Sequence, residues 1–183
     1  MNNVINRIVA FTLLLPALLF ATEVQESSSL SPVNEDALAV FYTIDGNVEE
    51  AFNTLVEQKL KNIGFHLSDP HKRVNDQYET KYGSTTLDVL SFMPVVNDEV
   101  ILPLLNIDPR IAGFAPFNML IYKKLDENVT HVGHIMPKAF LDMIGIEDQN
   151  VREKFIASVS PLDSKIEEEF RKKGLKYTKS YQE

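Results

Sequence analysis

One stretch, from Asn97 to Tyr122, constrains the fold most, because it predicts a helix, a tight turn and a strand in succession. Asn97 can cap a helix, and apolar residues recur after it at helical spacing. Pro103 lies inside this segment, so the helix is either bent there or begins after Asn97. The Asp108-Pro109 pair ends the helix, because a residue before proline is pushed out of the α region. The apolar run from Phe117 to Tyr122 then predicts a buried strand.

The segments on either side predict further strands and helices. Ala37 to Ile44 and Thr85 to Val95 are β-prone runs, and Val129 to Met136 completes a hairpin with the strand that ends at Tyr122. An apolar stripe at helical spacing runs from Val48 to Ile63. Together these patterns predict an α+β fold: one compact domain over residues 36–174, with an antiparallel sheet and helices packed on it in two layers.

The C-terminal region predicts helices that end at Gly174. Three glutamates in the last helix precede basic residues by four positions: Glu167 to Arg171, Glu168 to Lys172 and Glu169 to Lys173. This order stabilises an exposed helix surface, so we expect a solvated face there. Residues 175–183 predict a loose basic tail.

The central stretch also carries a resemblance. Asp108-Pro109, Ile111 and Pro116-x-Asn118 lead into an apolar strand closed by Tyr122. This arrangement resembles the family known as domain of unknown function 302, and the similarity extends over about Asp36 to Phe170. The resemblance implies a compact α+β domain with an antiparallel sheet and a homodimeric assembly.

Two positions depart from that family. Many of its members carry cysteines where this chain has Val96 and Phe117, so any thiol chemistry of the family cannot operate here. Both replacements are apolar. We expect Phe117 to pack against the end of the strand that carries Val96, so that the two residues share the wall of one cavity.

The N-terminus predicts a secretory signal peptide over Met1 to Ala21. Arg7 supplies positive charge, Ile8 to Phe20 forms an apolar core, and a small residue offers a cleavage site. The core is shorter than the roughly 20 apolar residues of a membrane span and contains Pro16. We therefore expect cleavage and export to the periplasm or the medium, with no stable membrane span afterwards. Residues 22–35 are polar and predict a flexible linker.

Composition excludes several functions. The chain has no cysteine, which rules out disulfides, thiolate catalysis and iron–sulfur clusters. Its net charge of −8 argues against binding nucleic acid, which requires clustered positive charge. The sequence contains no serine-hydrolase elbow, phosphate-binding glycine loop or zinc quartet. We predict no cofactor.

His131 and His134 raise the question of metal or haem binding. On a helix, residues three apart would share a face, but this segment predicts a strand, in which positions three apart face opposite ways. We therefore expect one buried and one exposed imidazole rather than a shared metal site.

A two-layer α+β domain can leave an apolar cavity between its helices and its sheet. The residues predicted to line a ligand site are Met93, Phe117, Asn118, Met119 and His134, with Phe114 beside them. The leading hypothesis is an exported, non-enzymatic binding or accessory module for a small apolar ligand or a partner protein. The alternatives are an enzyme or redox-accessory protein that uses His134, Asp88 or Tyr122, and a haem or metal binder through His131 and His134.

Overall fold

The computed structural model describes residues 33–69, 72–83, 85–113 and 117–183. The predicted signal peptide and all but the end of the predicted linker lie outside these residues. The described residues form thirteen strands and α-helices: β1 Ala39–Asp45, α1 Glu49–Thr54, β2 His66–Leu67, β3 Lys72–Arg73, α2 Val74–Tyr82, β4 Leu87–Val96, α3 Asp98–Leu105, β5 Phe117–Lys124, β6 Val129–Ile135, α4 Pro137–Met143, α5 Gln149–Val159, α6 Pro161–Lys172 and β7 Tyr177–Gln182. Helix α1 continues through a π turn, Leu55–Lys59, into a 3-10 turn, Leu60–Ile63, and a second 3-10 turn, Pro109–Gly113, precedes β5.

All the strands belong to one antiparallel sheet. Its order is β2-β4-β5-β6-β1-β7, and β3 also pairs with β4. The predicted hairpin of β5 and β6 is present, with Leu120 opposite Gly133. Helices pack against the sheet, so the predicted α+β fold class is confirmed.

The two faces of the sheet differ in burial with a period of two residues. In β1, Val40, Tyr42 and Ile44 are at most 1% exposed, whereas the residues between them are partly exposed. The same alternation runs through β4 and β5. We call the buried side the inner face and the opposite side the outer face. The hydrophobic core lies between the inner face and the helices.

The central stretch contains the predicted helix and strand, but the Asn97 side chain makes no capping hydrogen bond and the helix ends at Leu105, before Asp108-Pro109. Helix α3 begins at Asp98, directly after Asn97, and Pro103 lies inside it. Asp108 ends the segment with an Asx-type turn, in which its Oδ1 accepts a hydrogen bond of 3.0 Å from the Arg110 backbone N–H. Pro116, at the predicted turn before β5, lies outside the described residues.

The prediction of a loose C-terminal tail is wrong. Residues 177–182 form strand β7, which pairs antiparallel with β1 from Tyr177 opposite Ile44 to Gln182 opposite Ala39. Alternation explains the difference, because Tyr177, Lys179 and Tyr181 share one side of an extended chain. These three side chains point to the inner face, where Tyr177 and Lys179 both bind Glu167.

Candidate functional site

The inner face carries polar groups at one end of the sheet. Val40 of β1 lies opposite His134 of β6, and Tyr42 lies opposite Lys179 of β7. Tyr42 and His134 therefore occupy the same face as Lys179. Helix α6 packs over this region through Ile166, which is fully buried.

Two carboxylates of α6 reach down to these side chains. Asp163 and Glu167 are four residues apart, so they lie on the same side of the helix. The Tyr42 hydroxyl donates a hydrogen bond of 2.7 Å to Asp163 Oδ1 and lies 3.3 Å from Glu167 Oε1. His134 Nε2 lies 3.0 Å from Asp163 Oδ1, and Lys179 Nζ lies 2.9 Å from Glu167 Oε1. We call these five residues the buried polar chain.

The buried polar chain is sealed from solvent. The side chains of His134, Glu167 and Lys179 are 1%, 6% and 6% exposed, and that of Asp163 is 13% exposed. Tyr177 adds a hydrogen bond of 3.1 Å from its hydroxyl to Glu167 Oε2. Charged groups are rarely buried so deeply unless each has a partner, and here each of them has one.

The neighbours of Asp163 and Lys179 in the buried polar chain oppose the effect of burial on their pKa values. Burial alone would raise the pKa of Asp163, but hydrogen bonds from His134 and Tyr42 and the charge of Lys179 hold it below its ordinary value. Burial alone would lower the pKa of Lys179, yet Glu167 and Asp163 raise it. Burial and the two carboxylates raise the pKa of Tyr42 far above its ordinary range, so this hydroxyl stays protonated.

Both ring nitrogens of His134 face an oxygen atom. Its Nδ1 lies 3.0 Å from the carbonyl oxygen of Ile135, which can only accept a hydrogen bond. Its Nε2 lies 3.0 Å from Asp163 Oδ1. The ring is therefore held at both nitrogens.

This arrangement suits stability better than catalysis. A general base needs a free lone pair within reach of a substrate proton. Both nitrogens of His134 are engaged, and the ring is covered by Phe117, whose centroid is 5.0 Å away. The buried polar chain therefore joins β1, β6 and β7 to α6.

The expectation of a solvated face on α6 is wrong for two of its three glutamates. Glu167 is 5% exposed and Glu169 is 7% exposed. Glu169 binds Lys165 at 3.0 Å and Lys172 at 3.1 Å rather than Lys173. The four-residue spacing indicates which side chains can meet, but it does not say which side of the helix faces the sheet.

The structure separates the residues predicted to line a ligand site. Met93 and Met119 are fully buried, and Phe117 packs on His134 and on Phe140 at 5.3 Å. Asn118 points to the outer face and is exposed. Four of the five residues thus lie on the inner face, whereas Asn118 lies on the opposite side. Phe114 is outside the described residues.

Val96 and Phe117 border one enclosed cavity, as the sequence predicts. Phe65, Ile101 and Phe155 complete its apolar wall. Its volume is about 10 Å³, which is room for about one water molecule. A cavity of this volume is too small for an apolar ligand.

The remaining candidates lie apart from the buried polar chain. The side chain of Asp88 is 37% exposed and binds Lys123 Nζ at 2.9 Å. Tyr122 stacks on His131, with ring centroids 4.6 Å apart, on the outer face. His131 and His134 point to opposite faces, as a strand requires, and among the described residues no group of three potential ligands could hold a metal ion.

The outer face is the second notable surface. Apolar side chains from four neighbouring strands meet at its centre: Phe41, Leu90, Phe92, Leu120, Tyr122 and Ile135. Phe92 is 49% exposed and Ile135 is 40% exposed. No described element packs over the face closely enough to bury these two residues.

Gly133 keeps the middle of this face flat. A Cβ at Gly133 would lie 2.5 Å from the Phe41 ring and 2.6 Å from the backbone oxygen of Val40. The Phe41 ring therefore lies over the glycine. Phe92, Leu120, Gly133 and Phe41 form one continuous row across β4, β5, β6 and β1.

Sequence reasoning missed Tyr42, Asp163, Glu167 and Lys179. The signals were present. A tyrosine within an apolar strand requires a partner for its hydroxyl, and two acids lie in the same helical stripe as Phe170. Lys179 lies in an alternating Tyr-x-Lys-x-Tyr segment, which is typical of a strand.

Comparisons with known proteins agree with the fold. No protein-family profile and no curated protein sequence matches the chain. Among solved structures, the chain is similar to an uncharacterized conserved protein DUF302 from Bacillus stearothermophilus. The TM-score is 0.58 at 19% sequence identity, and the match covers 69% of this chain and 95% of the other. At this identity the comparison establishes the fold: the chain has a DUF302-like α+β fold.

Proposed function

We propose that this protein is a non-enzymatic binding module that acts through the outer face of its sheet, and that it pairs through this face with a second copy of itself. The observation that carries the proposal is the contrast between the outer face and the buried polar chain. The side chains of the buried polar chain already have partners, whereas Phe92 and Ile135 on the outer face are not covered by any described element. Exposed apolar patches of this kind mark protein interaction sites.

The charge of the face supports a second copy as the partner. The protein has a net charge of −8, so two copies repel unless they meet on a neutral surface. In a two-fold symmetric pair the same patch is used twice, and any charge on it is doubled. The apolar residues of the outer face carry no charge; Lys124 and Asp45 lie at the ends of their strands, and Lys72 lies beside Phe92 on the edge strand β3.

The shape of the face supports sheet-to-sheet packing. Sheets pack face to face at a spacing of about 10 Å when apolar side chains from each can interdigitate. Gly133 and the flat Phe41 ring leave a low centre, and Phe92 and Ile135 stand on either side of it. The face of a second copy would fit these raised and lowered positions.

A small apolar ligand receives less support. The predicted lining residues are close-packed, and the cavity beside Phe117 has about 10 Å³. Native mass spectrometry of the protein taken from its own compartment would distinguish the two possibilities. A dimer without added mass is the expected result, and a monomer carrying a bound small molecule would contradict the proposed pairing.

Sedimentation velocity with a face variant tests the surface itself. Phe92→Glu places a charge at the centre of the face and should weaken self-association at least about a hundredfold. The matched control is Leu102→Glu on α3, because Leu102 is 61% exposed on the helical side. If both variants associate like the parent protein, the outer face is not the interface.

Export is the second part of the proposal. It rests on the apolar leader and its exit residue, Ala21. Among the described residues, no helix combines the length and hydropathy needed to cross a bilayer. N-terminal sequencing of the protein from its native cell should begin at or near Thr22. Recovery of Met1 from a membrane fraction would overturn this part.

A further inference from the structure

An open groove lies on the helical side of the domain, between α3 and α5. Its volume is about 470 Å³, which is within the usual range for small-molecule sites. The residues that line it are Glu99, Val100, Pro103, Leu104, Ile107, Lys154, Ala157 and Ser158. None of these residues belongs to the buried polar chain or to the apolar centre of the outer face.

The part of the groove on α3 has an apolar floor. Glu99, Pro103 and Ile107 are four residues apart, so they form one stripe along the helix and the turn that follows it. Leu104 beside them is 1% exposed, whereas Ile107 is 51% exposed. The floor therefore runs from the edge of the core to solvent, and a ligand that covers Ile107 removes apolar surface from water.

Glu99 brings hydrogen-bond acceptors to the α3 side of the groove. Its carboxylate is one of them, and its backbone carbonyl is the other. Pro103 has no N–H, so it cannot donate the helical hydrogen bond that the carbonyl oxygen of Glu99 would otherwise accept. Both kinds of oxygen suit a ligand group that donates hydrogen bonds and carries positive charge.

Lys154 brings the opposite charge to the α5 side. Ala157 and Ser158 follow it by three and four residues, so all three lie on one side of the helix. Ala157 is small and exposed, which leaves space between the two helices. Within the described part of the chain, neither Lys154 nor Glu99 forms an ion pair. The groove therefore has an apolar floor between an anionic and a cationic side chain.

We propose that this groove binds a short apolar peptide with free termini. The ammonium group of the peptide meets Glu99, its carboxylate meets Lys154, and its apolar side chains cover Ile107. Opposite charges on the two sides favour this zwitterion over a fatty acid, whose single negative charge Glu99 would repel. Because the groove is open to solvent, the peptide exchanges readily and is lost on purification. The groove is separate from the outer face, so the inference does not depend on the proposed pairing.

The test is a titration of the isotope-labelled protein with the dipeptide Leu-Leu, followed by backbone amide chemical shifts. The shifts should change along α3 and α5 with a dissociation constant of about 0.1–1 mM. N-acetyl-Leu-Leu lacks the ammonium group and Leu-Leu-amide lacks the carboxylate. Each should bind about three- to fivefold more weakly, as expected for the loss of an exposed ion pair. Gly-Gly, which has no apolar side chain, should give no saturable change.

Variants connect each end of the peptide to its residue. Glu99→Gln should weaken the binding of Leu-Leu about three- to fivefold and leave that of N-acetyl-Leu-Leu unchanged. Lys154→Gln should do the same for Leu-Leu and Leu-Leu-amide. Ala157→Leu narrows the groove and should weaken binding at least about tenfold. The control is Leu102→Ala, because Leu102 is 61% exposed on another side of α3.

Several outcomes would overturn the proposal. They are shifts that do not saturate or that map to the outer face, equal binding of the three Leu-Leu peptides, and unchanged binding by Ala157→Leu. Thermal unfolding identifies a variant that misfolds, and the comparison of peptides then decides, because it needs no substitution. Peptide binding that persists in Phe92→Glu, whatever the state of association, supports a site separate from the outer face.

Discussion

The two faces of the sheet show an inversion of the usual pattern. Under the helices, His134 and Lys179 of the inner face meet two carboxylates of α6, Asp163 and Glu167, whereas the outer face, toward solvent, has an apolar centre. The two faces differ in whether their side chains are paired or covered by other residues. Inside, Asp163 Oδ1 lies 3.0 Å from His134 Nε2 and Glu167 Oε1 lies 2.9 Å from Lys179 Nζ, whereas Phe92 and Ile135 outside have no described neighbour that covers them. Buried charges that are paired with each other indicate a structural role, whereas an exposed apolar patch indicates a binding surface.

The largest expected effect comes from breaking the inner charge balance. Lys179→Met leaves the buried Glu167 with only the exposed Arg171, 3.9 Å away, as a cation and should cost about 3 kcal/mol of unfolding free energy. Urea unfolding monitored by circular dichroism measures this cost. The surface variant Lys138→Met removes the partner of the exposed Asp36 and should leave the unfolding midpoint nearly unchanged.

A double variant tests whether Lys179 and Glu167 are energetically coupled. Lys179→Met combined with Glu167→Leu removes both charges and should recover most of the lost stability, because apolar residues of similar volume can replace a buried ion pair. If the double variant is as unstable as the sum of the two single variants, the pair is not coupled as the structure indicates.

The next largest effect on stability is expected from truncating Phe117, and truncation of Phe92 provides the comparison. Phe117→Ala on the inner face removes the ring that packs on His134 and Phe140, and should cost about 3 kcal/mol through the cavity left behind. Phe92→Ala on the outer face should change self-association instead and leave the unfolding of the monomer within about 1 kcal/mol. Unfolding at several protein concentrations separates the two effects, because pairing makes the midpoint depend on concentration.

The sequence predicted the fold more fully than the site. Apolar patterns identified the central helix, the hairpin and the first strand, because burial of apolar residues gives a regular pattern. It failed for Lys179 and Glu167, whose burial depends on partners more than ten residues away along the chain. Charged side chains indicate solvent on average, so their pairing inside the domain becomes visible only when the strands and helices are assembled.

The sequence also predicted that His131 and His134 point to opposite faces of the sheet. Alternation along a strand requires no knowledge of distant contacts, and it correctly placed one imidazole on each face. What alternation could not indicate is that the buried ring would meet Asp163, or that the other ring would stack on Tyr122. Those contacts depend on sheet order and on the placement of α6.

A smaller effect is expected at the centre of the outer face. Gly133→Ala should cost about 1–3 kcal/mol, because the added Cβ meets the Phe41 ring and the backbone oxygen of Val40. The control is Gly113→Ala, where an added Cβ meets nothing within 4 Å. Thermal unfolding of the pair measures the difference. Equal midpoints would show that the face tolerates bulk at Gly133.

The smallest expected effect is on the stability of the fold at low pH. The pKa of Asp163 is lower in the folded protein than its ordinary value of 3.8, so ionised Asp163 stabilises the fold above pH 3.8. That contribution is lost as the pH falls below 3.8 toward the folded pKa. Asp163→Asn removes this titration, and the fall of its unfolding free energy between pH 5 and pH 2 should be shallower than that of the parent protein. Parallel curves would place the acid sensitivity in other carboxylates.

The most direct test of the outer-face pairing uses the absence of cysteine. A single nitroxide label is attached at Asn118→Cys on the outer face or, as the control, at Leu102→Cys on the helical side, and dipolar coupling between copies is measured by pulsed electron resonance. Two sheets packed face to face lie about 10 Å apart, so the distance between copies should be much shorter for the Asn118 label than for the Leu102 label. The absence of coupling between Asn118 labels, or a shorter distance between Leu102 labels, would contradict pairing through the outer face.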